Sequence, residues 1–161
     1  LRMHPIAAIL AKCQLDKLEQ NNEMITRQVR SINDRITQLP GLYEQRNRTD
    51  VDRVYYASNR LFLKEDEAGM SRDACVEALR AEGVRAGGGG GGSYMHENIM
   101  FRESQWWHHL PKVADHYPGL EEARKGGISL PLFTKEMPEL VEQYIVAFEK
   151  VWSNRKQIGR I

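Results

Sequence analysis

Histidine is the side chain best suited to acid–base or ligand chemistry near neutral pH, and this 161-residue sequence holds five. His108 and His109 are adjacent, and His116 follows seven residues later. Such a cluster would hold a metal only if carboxylates or thiolates completed the set, and no recognisable ligand spacing does so. The expectation is therefore no metal site, with the imidazoles hydrogen-bonded in a loop whose Trp106 and Trp107 pack on the domain. Cys13 and Cys75 lack the CxxC spacing of a zinc or redox pair. Each falls at an apolar position of a helical pattern, so both are expected to be reduced core residues. His96, in the run SYMHEN, stands between Tyr94 and Asn98, and by residue type alone it is a loop histidine.

The elements that must carry these residues follow from composition and pattern. Lys plus Arg number 23 and Asp plus Glu 22, a net charge of +1. No long-range field draws phosphate backbones or anionic lipid, so neither nucleic acid nor a membrane surface is an expected partner. The basic residues Arg155, Lys156 and Arg160 read as a solvated tail that complements a helix C-terminus. The apolar stretch from Leu1 to Lys12 is interrupted by Pro5 and is shorter than the ~20 residues a spanning helix needs. A cytoplasmic location is the default expectation.

From Pro5 to Leu39 there is no Gly and no further Pro. Ala11, Leu15, Leu18, Asn22, Ile25, Val29, Ile32, Ile36 and Leu39 recur at alternating four and three, which predicts one long helix with a continuous stripe. At 1.5 Å per residue it would reach roughly 50 Å, longer than a domain of this size is wide, so part of it should pack on something else. Pro40 and Gly41 stop it. Arg53 to Leu63 (RVYYASNRLFL) reads as a strand with apolar residues on both faces, hence a central one. Ser71 should cap a helix over Arg72–Glu82, with Cys75, Val76 and Leu79 on one face and Gly83 as its stop. Val84 begins a second extended piece. The six glycines 87–92 read as a flexible linker, because no ordinary strand or helix can absorb that backbone entropy. Ser93 to Pro118 is expected to be an ordered loop of short turns. Ile128 to Phe133 reads as a strand whose Pro131 lies at an edge or an end. A last helix opens at Pro138, with Leu140, Val141, Tyr144, Ile145, Phe148, Val151 and Trp152 facing the core. The sum is a small α/β layer led by a long helix.

Several fragments, in order, resemble one family. LRMHPIAAILAKCQLDKLEQ, with Arg2, Met3, Gln14, Leu15 and Leu18, is similar to the domain junction of the DegT/DnrJ/StrS sugar aminotransferases. The similarity continues through Leu39–Leu42 (LPGL), Val54–Tyr56 (VYY), Ala78–Val84 (ALRAEGV), His96–Asn98 (HEN), Leu130–Phe133 (LPLF) and Phe148–Trp152 (FEKVW). WWHH and LPLFT add a likeness to the subgroup acting on ketocyclitols such as scyllo-inosose.

The resemblance implies the C-terminal small domain, of α+β type, of a type I aminotransferase fold. Residues 1–40 would form the interdomain helix and 41–161 the small domain. The implied reaction moves an amino group from glutamine or glutamate to a keto sugar or ketocyclitol through pyridoxal phosphate, in a homodimer. The cofactor would be bound by a larger domain that this chain lacks, since none of Lys12, Lys17, Lys64, Lys112, Lys125, Lys135, Lys150 or Lys156 has the family's Ser-containing context for the Schiff-base lysine. No catalytic residue is therefore assigned, and the chain alone should be inactive. The family places a histidine toward the substrate after the small helix and strand, which assigns substrate contact to His96, with Tyr94 and Asn98 beside it, and more weakly to Arg2 and His4. The alternative reading, open on the residues alone, is a non-catalytic module that binds a partner or oligomerises through its helical stripe.

Overall fold

The strongest apolar pattern in the sequence becomes the centre of the core. In the computed structural model, which describes residues 3–89 and 94–159, Pro138–Ser153 forms helix α6 and buries Val141, Tyr144, Ile145, Ala147, Phe148, Val151 and Trp152. Its two polar aromatic tips are satisfied. Trp152 Nε1 donates to the Pro40 carbonyl at 2.9 Å, and the Tyr144 hydroxyl accepts from the Arg85 amide at 3.1 Å. Without these bonds each tip would be a buried polar group at full desolvation cost.

The long N-terminal helix is two helices. Helix α1 spans Pro5–Leu15 and α2 spans Leu18–Ile36. At the break the Lys17 amide bonds back to Gln14, an i→i−3 contact in place of the i→i−4 ladder. Neither Gly nor Pro marks this point. The physical reason is packing: α1 buries no residue, so nothing opposes a change of direction at its C-terminus. The stripe divides accordingly, with Leu15 and Leu18 exposed while Val29, Ile32 and Ile36 are buried. Cys13 is exposed for the same reason, against the expectation of two core cysteines, whereas Cys75 is buried.

Helix α2 lies along α6, with Arg35 bonded to both Glu142 and Glu149 at 2.8 and 2.7 Å. These exposed pairs fix orientation more than stability. The buried Gln28 carboxamide does more: its Nε2 donates to the carbonyls of Phe133 and Lys135, and its Oε1 accepts from the Met137 amide. It ties the approach to α6 onto α2.

The sheet has the order β1-β2-β4-β3 and all its pairings are antiparallel. Strand β1 is Leu42–Glu44, β2 is Asn59–Leu63, β3 is Gly87–Gly88 and β4 is Gly127–Leu130. Strand β2 is central, but shorter than its apolar run. Arg53–Ser58 is irregular, with Tyr55 buried and Tyr56 90% exposed. Asn59 pairs with Leu130, and beyond Leu130 comes Pro131, which has no amide to extend the ladder. Pro131 thus sits at the end of an interior strand.

Helix α4 (Arg72–Ala81) begins as expected, with Ser71 Oγ accepting from the Ala74 amide at 3.2 Å and Cys75, Val76 and Leu79 buried. The glycine run departs from expectation. Gly87 and Gly88 pair with Ser129 and Ile128, and the Gly89 amide donates to the Gly127 carbonyl at 2.6 Å. A Cβ on Gly89 would lie 2.8 Å from the Gly127 carbonyl carbon, so close backbone approach, not slack, explains glycine there. Residues 90–92 lie outside the described residues. Three short helices were not anticipated: α3 (Glu65–Ala68), α5 (Pro118–Gly126) and α7 (Arg155–Ile158).

Candidate functional site

The segment between β3 and α5 carries the residues with the most recognition chemistry. Three single 3₁₀ turns shape it, at Met95–Glu97, Ile99–Phe101 and Ser104–Trp106. The Glu97 amide bonds to the Tyr94 carbonyl at 3.0 Å, closing the first turn around His96. Asn98 Oδ1 accepts from the Met100 amide at 3.0 Å and so caps the second.

His96 is clamped by aromatic rings. Tyr94 stacks on it at 5.3 Å and 18°, and Tyr117 meets it at 4.7 Å and 54°. The Arg124 guanidinium lies 4.6 Å from the Tyr94 ring centroid, and Arg102 Nε donates to the His96 carbonyl at 3.3 Å. Tyr117 immediately precedes α5 and Arg124 belongs to its last turn. The loop is thus indexed by α5. That helix in turn is fixed to the sheet at Gly126, where a Cβ would fall 2.7 Å from the Leu63 carbonyl oxygen.

Of the anticipated site residues, Tyr94 and His96 come together. Asn98 sits beside them, but its oxygen is committed to capping, which leaves its Nδ2 as the available donor. His4 caps α1, its Nδ1 accepting from the Ile6 amide at 3.3 Å, and no contact among the described residues joins it to the His96 group. Arg2 lies outside the described residues. Tyr117, Arg124 and Arg102 were missed. Tyr117 and Arg124 become visible only once α5 is recognised, and its PGLEEARKG sequence, with glycines near both ends, gives a weak helical signal.

Trp106 and Trp107 do not pack on the domain: they are 57% and 39% exposed, and Trp107 stacks on Phe101 at 5.5 Å within the loop itself. His116 Nδ1 lies 2.6 Å from Glu121 Oε1, and among the described residues no three His, Cys, Asp or Glu side chains gather as a metal set.

The cluster can stack on a ring and exchange hydrogen bonds with hydroxyls or a carbonyl. Among the described residues no carboxylate bonds the His96 ring, so it lacks the oriented base of a nucleophilic triad. The chain has eight lysines. All eight are exposed, and Lys12, Lys64 and Lys150 are paired with Asp16, Glu67 and Glu82. The bond to Glu67 holds Lys64 above its usual range, the opposite of what a nucleophilic amine requires.

The model of the DegT/DnrJ/EryC1/StrS aminotransferase family matches residues 1–149. An aminotransferase from Psychrobacter cryohalolentis superposes with a TM-score of 0.75 at 18% identity, over 95% of this chain and 40% of that one. A DegT DnrJ EryC1 StrS aminotransferase from Brucella abortus gives 0.66 at 17% identity, over 92% and 36%. The Escherichia coli GDP-4-keto-6-deoxy-D-mannose-3-dehydratase with bound hydrated PLP gives 0.63 at 16%, over 84% and 32%. No curated protein sequence matches. At these identities the solved structures establish a shared fold, and the chain spans about two-fifths or less of their length.

Proposed function

We propose, from the premise that this chain belongs to the DegT/DnrJ/EryC1/StrS aminotransferase family, that it is the small domain of an enzyme aminating a keto sugar or ketocyclitol with glutamine or glutamate as donor. The observation that carries this reading is the His96 cluster, an imidazole fixed between two phenol rings on a loop held by α5, which is anchored to the sheet at Gly126. Pyridoxal phosphate would be the cofactor, supplying the electron sink for transamination. No lysine of these 161 residues fits as its anchor, so the anchoring amine would come from residues outside them, and the 161 residues alone would not transaminate.

The role left to this chain is recognition. Stacking by Tyr94 and Tyr117 removes the rotational freedom of His96, so its ring nitrogen would meet a substrate hydroxyl without further ordering cost. Asn98 Nδ2 would add a second donor. The acceptor would be a ketocyclitol of the scyllo-inosose type, as the WWHH and LPLFT segments favour. Assembly as a cytoplasmic homodimer completes the proposal.

Its test is kinetic. With the region encoded upstream of Leu1 restored, His96→Gln should raise KM for the acceptor roughly tenfold, the worth of one lost hydrogen bond to a fixed donor, with KM for glutamine unchanged. Equal effects on both would remove His96 from acceptor recognition. Turnover by the 161 residues alone would refute the external lysine.

A second reading rests on α1, which exposes Ile6, Ile9, Leu10 and Leu15 at 59–67%. On that reading the domain is a non-catalytic module that associates through this helix. Failure of any upstream region to bind the cofactor would favour it.

A further inference from the structure

At the end of β2 away from Gly127, a groove of about 910 Å³ runs between the α1–α2 junction and the irregular segment before β2. Its floor is Tyr55, buried, whose ring carries the Arg53 guanidinium at 4.6 Å. Burial, and next the charge of Glu44, hold the Tyr55 phenol above its ordinary pKa, so it stays protonated.

The guanidinia of this groove are not equivalent. Arg30 is bonded to Glu44 at 3.1 Å and Asp34 at 2.7 Å, and Arg27 reaches out of the groove to Glu136. Arg53 makes no hydrogen bond among the described residues, and its Nη1 is shut from solvent with no acceptor. A cation left without an acceptor at the edge of an open groove suits an oxyanion, which would pair with the part of the guanidinium that still faces the groove.

The remaining lining limits which anion. Leu15 and Leu18 on the helical side and Val54 on the facing side line it with apolar surface, while Glu19, Glu23 and Asp52 add acids to the lining. The acids disfavour a multiply charged anion more than a singly charged one, and the apolar surface rewards a hydrocarbon body. The geometry points to a binding site for a small monocarboxylate with an apolar body, its carboxylate on Arg53 and its body against Leu15, Leu18 and Val54. This inference is independent of the aminotransferase reading.

Titration of the 161-residue chain with hexanoate, acetate, hexylamine and inorganic phosphate, followed by NMR at arginine Nε and at Leu and Val methyls, tests it. Hexanoate should shift Arg53 Nε and the methyls of Leu15, Leu18 and Val54 saturably. Acetate and phosphate should bind roughly tenfold more weakly or less, and hexylamine should leave Arg53 unmoved. Arg53→Gln should weaken hexanoate roughly tenfold, with Arg53→Lys between the two and Arg48→Gln without effect. No saturable shift at Arg53 in the unsubstituted chain overturns the site, as does unaltered hexanoate binding in Arg53→Gln. Phosphate binding as tight as hexanoate overturns the ligand class. Should Arg53→Gln fail to fold, the unsubstituted titration decides alone.

Discussion

Asn33 of α2 and Asn59 at the head of β2 exchange two amide hydrogen bonds out of reach of water. Asn33 Nδ2 donates to Asn59 Oδ1 at 3.1 Å, and Asn59 Nδ2 donates to Asn33 Oδ1 at 2.6 Å, with the residues 0% and 1% exposed. The pair fixes how α2 sits along the central strand, since any slip would leave two carboxamides buried without partners.

Replacing one member should therefore be worse than replacing both. Asn33→Leu is expected to cost about 2–3 kcal/mol in urea unfolding, chiefly by orphaning Asn59, with a similar figure for Asn59→Leu. The double variant should lose clearly less than the sum. Additive losses would mean that the two amides do not act as a unit.

The two cysteines should differ sharply in reactivity. Cys75 is buried at 0% exposure and desolvation pushes its thiol up to about 12, whereas Cys13 stands exposed on α1. One equivalent of thiol should react quickly with a disulfide reagent under native conditions, and the second only with unfolding. Mass mapping that finds Cys75 labelled first would contradict the packing of α4.

The same burial has an alkaline consequence. Below the ordinary thiol value of 9.0 Cys75 is neutral folded or unfolded, so its contribution is intact; above it the unfolded chain ionises while the folded one does not. Stability should fall by about 1.4 kcal/mol per pH unit between roughly pH 9 and 12 from this group alone. Cys75→Ala should flatten that limb of the stability–pH curve relative to the parent, whatever it does to the absolute level.

Gly126 couples the sheet to the His96 loop. A methyl there would meet the Leu63 carbonyl oxygen at 2.7 Å, and backbone on both sides cannot yield cheaply. Gly126→Ala should lower the melting temperature by several degrees, on the order of 1–2 kcal/mol, and disturb the ring-current shifts of Tyr94, His96 and Tyr117. Gly119→Ala, in the same helix with open space at its Cβ, should do neither.

Helix α1 should govern association rather than folding. It buries no residue while exposing Ile9 and Leu15 at 63% and 67%. The 161-residue chain is expected to self-associate in sedimentation equilibrium. A double Ile9→Glu, Leu15→Glu change should abolish this with little change, within about 0.5 kcal/mol, in the stability of the rest. A parent chain that stays monomeric at high concentration would remove the motive for this prediction.

Much was legible in the sequence where one interaction dominates. The α6 face, the Ser71 cap, the Cys75, Val76 and Leu79 triplet and the stop at Gly83 each depend on periodicity or on one local bond. Elements that depend on partners were misread. The strand beginning at Asn59 could not be bounded without knowing that β4 ends at Leu130, before Pro131, and Gly87–Gly88 looked like slack because the close approach of Gly127 to the neighbouring Gly89 is invisible in one dimension.

The site divides in the same way. His96, Tyr94 and Asn98 were found by their order in the chain, whereas Tyr117 and Arg124 enter through α5, twenty residues and more downstream. Likewise Arg53 is an unremarked charge in the sequence, and the burial of its Nη1 without an acceptor among the described residues exists only after folding. Periodicity and local bonding let the chain alone determine α4, α6 and the buried half of α2, and the ordered fragments from LRMHP to FEKVW carry the family resemblance. Only tertiary structure decided where the long helix bends, which cysteine is hidden and that Arg53 Nη1 is buried without an acceptor among the described residues, because burial and pairing belong to residues brought together from afar.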